Sequence, residues 1–365
     1  GFVINGFAAN DWSGHSVSSA GDVNGDGIDD LIVGASHADT NGRSNAGVSY
    51  VVFGTDAGFA ASLNLSTLNG SNGFVLTGID TNDYSGHSVS SAGDVNGDGI
   101  GDLIIGAPSA DPNGQSGAGE TYVVFGNSIG FPVSFDLSTL DGTNGFVING
   151  IDAGDLSGAS VSSAGDVNGD GIGDLIIGAF FARPNGQSAA GESYVVFGKS
   201  TGFAASLNLA SLDGTSGFVI NGIDAFDFSG NSVSSAGDIN SDGLGDLIIG
   251  APSADPSGRS DAGESYVVFG SSTGFAASLS LSTLNGTNGF VLRGIDAFDH
   301  SGASVAFAGD VNGDGLGDLI IGAYRAAPNG QSSAGESYVV FGRIGRVQKL
   351  CPADVDGDAH ANTND

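Results

Sequence analysis

Apolar residues in this chain come in short runs, each bounded by glycine, asparagine, aspartate or proline. In "HSVSSAGD" (15–22) valine and serine alternate, the period-two pattern of a strand with one covered face. "DLIVGA" (30–35), "VSYVVFG" (48–54) and "GFVLTG" (73–78) follow, all rich in β-branched and aromatic residues between turn formers. Such runs predict strands. No stretch sustains a helical period, and "SLNLSTL" (62–68) reads as an extra strand or as a short turn.

The pattern then returns. Gly1-Phe2-Val3-Ile4 recurs from Gly73, Gly145, Gly217 and Gly289, an offset of 72 residues each time with no insertion. A fixed period of this kind indicates stacked or circularised supersecondary units. Four short antiparallel strands per unit, repeated five times, predict an all-β protein, a β-propeller of five blades. The units are 1–72, 73–144, 145–216, 217–288 and 289–342, followed by a tail, 343–365. Residues 1–6 are expected to pair with the last blade and close the ring. The rival is an open piece of a six- or seven-bladed ring.

Between the first two strands of each unit lies an acidic loop. Asp22, Asn24, Asp26 and Asp30 hold positions 1, 3, 5 and 9, with Gly27 at position 6 and the Ile28 carbonyl at position 7. Oxygen donors on alternate residues with glycine at the sharp turn follow the logic of a calcium loop. Carboxylates that repel one another become favourable neighbours once a dication sits among them. The set recurs as Asp94, Asn96, Asp98, Ile100 and Asp102, and as Asp166, Asn168, Asp170, Ile172 and Asp174. It continues with Asp238, Asn240, Asp242, Leu244 and Asp246, and ends with Asp310, Asn312, Asp314, Leu316 and Asp318. About five Ca²⁺ ions are expected, one per repeat. The bland alternative is an Asp/Asn/Gly turn that needs no metal. A sixth loop in the tail, Asp354, Asp356, Asp358 and Asp365, has Ala359 where glycine belongs, and a plain acidic tail fits it equally well.

The unit "SGHSVSSAGDVNGDGIGDLIIGAPSAD…YVVFG" resembles the FG-GAP repeat of integrin alpha-chain propellers and related bacterial surface proteins, over essentially residues 1–342. The resemblance implies propeller blades with a calcium loop between the first two strands. Departures are Ser13-Gly14 for the leading Phe-Gly, and Ser36, Phe180 and Tyr324 where Pro108 and Pro252 complete Gly-Ala-Pro. Integrins also have seven repeats.

Charge narrows the partners. Nine basic residues face 41 acidic ones, for a net charge of −32. Nucleic acid and anionic membrane are excluded as partners, because little here neutralises phosphate. No run is long enough to span a bilayer. Cys351 is alone and staples nothing, and the absence of methionine leads us to expect a mature or excised segment. Catalytic candidates are sparse: His15 and His87 share a repeat position, Arg183 and Arg325 are singular, and no carboxylate–His–nucleophile set accompanies them. Trp12, Tyr84, Leu156, Phe228 and His300 share one variable position and are expected to pack between blades rather than form a recognition surface. The expected function is therefore calcium-stabilised binding of a protein or carbohydrate at the cell surface or outside the cell. A polysaccharide-active or phospholipase-type enzyme and a self-assembling scaffold are the alternatives.

Overall fold

The computed structural model describes residues 1–343, so the acidic loop expected in the tail lies outside the described residues. The first repeat contributes β1 (Val3–Asn5), β2 (Ser16–Gly21), β3 (Asp30–Ala35), β4 (Val48–Val52) and β5 (Ser62–Asn64). The second contributes β6 (Gly73–Thr77), β7 (Ser88–Gly93), β8 (Asp102–Ala107), β9 (Glu120–Val124) and β10 (Ser134–Asp136). In the third are β11 (Gly145–Asn149), β12 (Ser160–Gly165), β13 (Asp174–Ala179), β14 (Glu192–Val196) and β15 (Ser206–Asn208). The fourth has β16 (Gly217–Asn221), β17 (Ser232–Gly237), β18 (Asp246–Ala251), β19 (Glu264–Val268) and β20 (Ser278–Ser280). The fifth has β21 (Gly289–Arg293), β22 (Ser301–Gly309), β23 (Asp318–Ala323) and β24 (Glu336–Val340). Helical structure among the described residues is confined to single 3₁₀ turns such as Leu65–Thr67 and Pro112–Gly114, and no helix is long and apolar enough to cross a membrane.

Each of the four larger sheets straddles two repeats. β2, β3 and β4 form an antiparallel meander that β6 extends, and β10 then adds to β6 in parallel, giving the order β10-β6-β4-β3-β2. The next two sheets repeat this as β15-β11-β9-β8-β7 and β20-β16-β14-β13-β12. The four expected antiparallel strands are thus joined by a fifth, parallel one. "SLNLSTL" is both things at once: Ser62–Asn64 is the edge strand and Leu65–Thr67 the turn.

Blades stack through their apolar faces. The face carrying Val23, Ile32, Val51, Phe53 and Phe74 packs against Val89, Leu103, Ile105, Tyr122 and Val124 of the next blade. Equivalent residues make the three later joints. The central strand of a blade is therefore covered on both sides, which is why "DLIIGA" is apolar at consecutive positions and β8, β13 and β18 are buried throughout. Innermost strands are sewn together by serine: Ser16 Oγ accepts from the Val89 amide at 3.0 Å, and Ser88, Ser160 and Ser232 do the same for Val161, Val233 and Val305. The joint is so tight that a Cβ on Gly106 would stand 1.9 Å from the Gly158 carbonyl oxygen.

The expected ring closure is not made. β1 pairs in parallel with β5, Val3 opposite Ser62, and β24 pairs with β23 alone among the described strands. β1 bonds to β5 as β6 bonds to β10, and the pair covers the outer part of the first blade through Ile4 and Leu63. The second edge of β1, the one that β6 gives to β4, takes no partner among the described strands, because the stack of blades does not bring β24 to it. The array is open between its first and last blades.

Candidate metal centres and a binding rim

The acidic loops fold on themselves. Asp22 Oδ1 accepts from the Asp26 amide at 3.0 Å and Oδ2 from the Gly27 amide at 2.8 Å. Asn24 Oδ1 accepts from Asp26 at 2.8 Å, and Asp26 Oδ1 from Ile28 at 2.9 Å. The loops beginning at Asp94, Asp166, Asp238 and Asp310 repeat these bonds. The fold is stiff enough to hold Ser241 at φ 61, where the other four loops use glycine.

The ninth residue is different. Asp30 is fully buried, and its two oxygens accept from the Val23 amide (3.1 Å) and the Gly54 amide (2.8 Å), pinning the loop to the end of β4. Asp102, Asp174, Asp246 and Asp318 are pinned in the same way. Burial, with repulsion from Asp26 and Asp22 added, pushes the Asp30 carboxyl up to about 6 against the two amides that hold it down. Asp102, Asp174 and Asp246 rise to about 7 from burial in the same setting.

These donors fit a hard dication in kind: all are oxygens, and the carboxylates at positions 1, 5 and 9 feel one another's charge. No cation among the described residues answers them, since the one ion pair there is Arg293–Glu264. The carboxylates lean on their own loop amides, however, and among the described residues no three acidic or histidine side chains form a ready cage. The loops are also joints. The Asp22 carbonyl accepts from the Gly101 amide of the next blade at 3.0 Å, and the Val23 carbonyl from Asn127 at 2.8 Å. Gly173 with Asp94 and Gly245 with Asp166 repeat the contact. These glycines and the pinning amides of Gly54, Gly126, Gly198, Gly270 and Gly342 escaped the motif reading, although glycine recurs at both positions.

One profile accounts for this repeated unit. The FG-GAP repeat family matches residues 13–52, 85–124, 157–196, 229–268 and 301–340, more than half of the chain. The chain belongs to the FG-GAP repeat family. Each FG-GAP match contains the first three strands of a blade and its acidic loop. Among the relatives, phosphatidylinositol-glycan-specific phospholipase D of Bos taurus is 32% identical over 48% of this chain and 19% of its own length. Integrin alpha pat-2 of Caenorhabditis elegans is 28% identical over 67% of this chain and 18% of its own. Integrin alpha-IIb of Mus musculus is 33% identical over 46% of this chain and 15% of its own. The chain thus spans less than a fifth of these curated relatives.

The opposite end of the hairpins carries the variable residues. Trp12, Tyr84, Leu156, Phe228 and His300 all have positive φ. The amides of Tyr84, Leu156, Phe228 and His300 bond to the preceding blade, at Asn45, Gly117, Ala189 and Asp261, whereas Trp12 is exposed and stacks on His37 at 3.7 Å. The rings of His15 and His87 lie 5.0 Å apart, and each Nδ1 approaches a main-chain carbonyl, with no nucleophile or carboxylate bonded to either among the described residues. Arg325 lies over the Tyr324 ring. A second pair escaped notice. Phe226 and Phe298 occupy a position that is Asn10, Asn82 and Gly154 elsewhere, hold φ of 69° and 68°, and are 60% and 58% exposed. A bulky residue in the left-handed region that also faces solvent is held there at a conformational cost.

Proposed function

We propose that this FG-GAP array is an extracellular binding module, stabilised by calcium, that takes a protein or carbohydrate ligand on the rim opposite its acidic loops. The observation that carries the reading is the pair Phe226 and Phe298, exposed aromatic rings in strained backbone where other repeats have Asn or Gly. Trp12, Phe181 and Tyr324 add further exposed rings at the same end. Aromatic faces on a rigid scaffold suit both sugar rings and protein side chains. On this reading the repeats are not catalytic, and the likeness to the phospholipases belongs to the scaffold.

Calcium, when bound, supplies positive charge to loops that hold none. Asp, Asn and Asp at positions 1, 3 and 5, the carbonyl at position 7 and the buried ninth Asp would hold it, and the same loops brace one blade on the next. Metal bound only by the folded chain shifts the folding equilibrium toward it. Support also comes from the chain's cysteine usage, which offers no internal disulfide.

Two measurements test the proposal. Chelator should lower the melting temperature steeply, with recovery in Ca²⁺ and little in Mg²⁺; an unchanged melt removes calcium from the reading. Ligands captured on glycan and protein arrays should be lost with Phe226→Asn plus Phe298→Asn, a pair that suits positive φ and should hold or raise the melting temperature. Retained binding by that variant overturns the assignment of the rim.

A further inference from the structure

Two histidines meet where the first two blades join. His15 immediately precedes β2 and His87 immediately precedes β7, the innermost strands that Ser16 bonds together. Their rings lie 5.0 Å apart, tilted by 54°. His15 is exposed and His87 half-buried, so solvent reaches the pair. His15 Nδ1 stands 3.3 Å from the His87 carbonyl oxygen, and His87 Nδ1 stands 3.3 Å from the Ala159 carbonyl oxygen. A carbonyl only accepts, so in each ring Nδ1 carries the proton, and the neutral imidazole keeps its lone pair on Nε2. Metal-ligating histidines are oriented in this way, with one nitrogen donating to an outer partner and the other free to bind.

The bond across the joint does not itself call for histidine. Asn231 holds the same position in the fourth repeat, and its Nδ2 donates to the Ala303 carbonyl at 3.2 Å. Ala159 has no side-chain donor at all, yet its joint forms, with Ser160 Oγ accepting from the Val233 amide at 3.0 Å. What histidine adds is a second, basic nitrogen. The chain has five histidines, and two of them stand at this one position in consecutive repeats.

The pair is separate from the acidic loops. Those follow β2 and β7 at the far end of six-residue strands, a span of about 20 Å at the usual rise per residue. The donor chemistry differs too: imidazole suits copper, zinc and nickel, whereas Ca²⁺ takes oxygen. No third histidine, cysteine or acidic side chain among the described residues joins the pair. Two imidazoles thus fill half of a four-coordinate shell and leave the rest to water or to a donor of a ligand.

We propose that His15 and His87 form a second kind of metal site, their two Nε2 atoms binding one divalent transition cation across the first joint. Cu²⁺ binds there more tightly than Zn²⁺, by the usual order of affinities. Such an ion ties the innermost strands of two blades together, independently of any calcium in the loops.

Trp12 supplies the readout. It is the only tryptophan in the chain, and its ring lies 6.2 Å from that of His15. Bound Cu²⁺ should therefore quench its fluorescence. The full chain is titrated with Cu²⁺ in excess Ca²⁺, which competes for carboxylate sites. Quenching should saturate, and Zn²⁺ at higher concentration should reverse it. His15→Asn and His87→Asn reproduce the residue found at position 231 and keep the bond across the joint, so both should melt as wild type does. Each should weaken Cu²⁺ binding by about tenfold or more. His37, stacked on Trp12 at 3.7 Å, is the rival ligand, and His37→Asn should leave the affinity unchanged. In a second measurement, Zn²⁺ should raise the melting temperature of the wild-type chain and not of the double variant His15→Asn, His87→Asn. Wild-type fluorescence that shows no saturable quenching overturns the proposal. So does wild-type affinity retained by either variant of the pair, or binding lost with His37→Asn.

Discussion

Single atoms decide how closely two blades meet. Gly106 faces main chain, the Gly158 carbonyl, so an added methyl cannot be relieved by turning a side chain. Gly106→Ala should cost about 3 kcal/mol or more, in the upper range for overpacking, read as a lowered urea midpoint with an unchanged slope. Gly322→Ala, where a Cβ meets only Ser304 at 3.6 Å or more, should be neutral to within about 0.5 kcal/mol, as for a surface change. Within the loops, Asp98→Ala removes one donor from one site, and calorimetric titration should then count one Ca²⁺ fewer than wild type with the remaining sites unchanged. A loss of all sites together would show that the loops act as a single unit. The ligand candidates were legible because oxygen donors recur on alternate residues. Phe226 and Phe298 were not, since left-handed backbone leaves no mark in a one-letter code except a residue out of keeping with its repeat.

The turns that follow β6, β11 and β16 bury acids of their own. Asp83 and Asp155 rise to about 6 and Asp227 to about 7, from burial first and then from neighbouring acids such as Glu120 beside Asp83. A carboxyl whose folded value lies above its unfolded one binds its proton more tightly when folded. Its stabilising effect is full below the unfolded value and is lost as pH rises through the folded value. Metal-free protein should therefore lose stability between about pH 4 and about pH 7, measured as urea midpoints across that range. Asp83→Asn should make the decline shallower; an unchanged slope would exclude Asp83 as a contributor. Strands themselves were easy to read, because each is a short apolar run between turn residues. The parallel fifth strand was not: Ser62–Asn64 is three residues long, and only its partner makes it a strand.

Over the whole molecule, stability follows position. An interior blade is covered on two faces, whereas the fifth is covered on one and, among the described residues, has no strand in the place that β6, β11, β16 and β21 take in the other four. Stacked units of this kind behave as a sum of unit and neighbour terms. Hydrogen exchange should be faster in β23 than in β13, although "DLIIGA" is the same sequence in both. Equal protection would mean that the array opens as one body. The fivefold period made this organisation legible; closure was misjudged because β1 offers two edges, and the 72-residue period does not say which is filled first.

Every joint uses the same residues at the same spacing, with no insertion anywhere along the array. Copy number is thus free to drift. Excising residues 73–144 removes one spacing unit and brings the third unit against the first with its contacts intact. Recombination between such similar coding stretches can therefore shorten or lengthen the protein in whole-unit steps, without any new surface having to evolve.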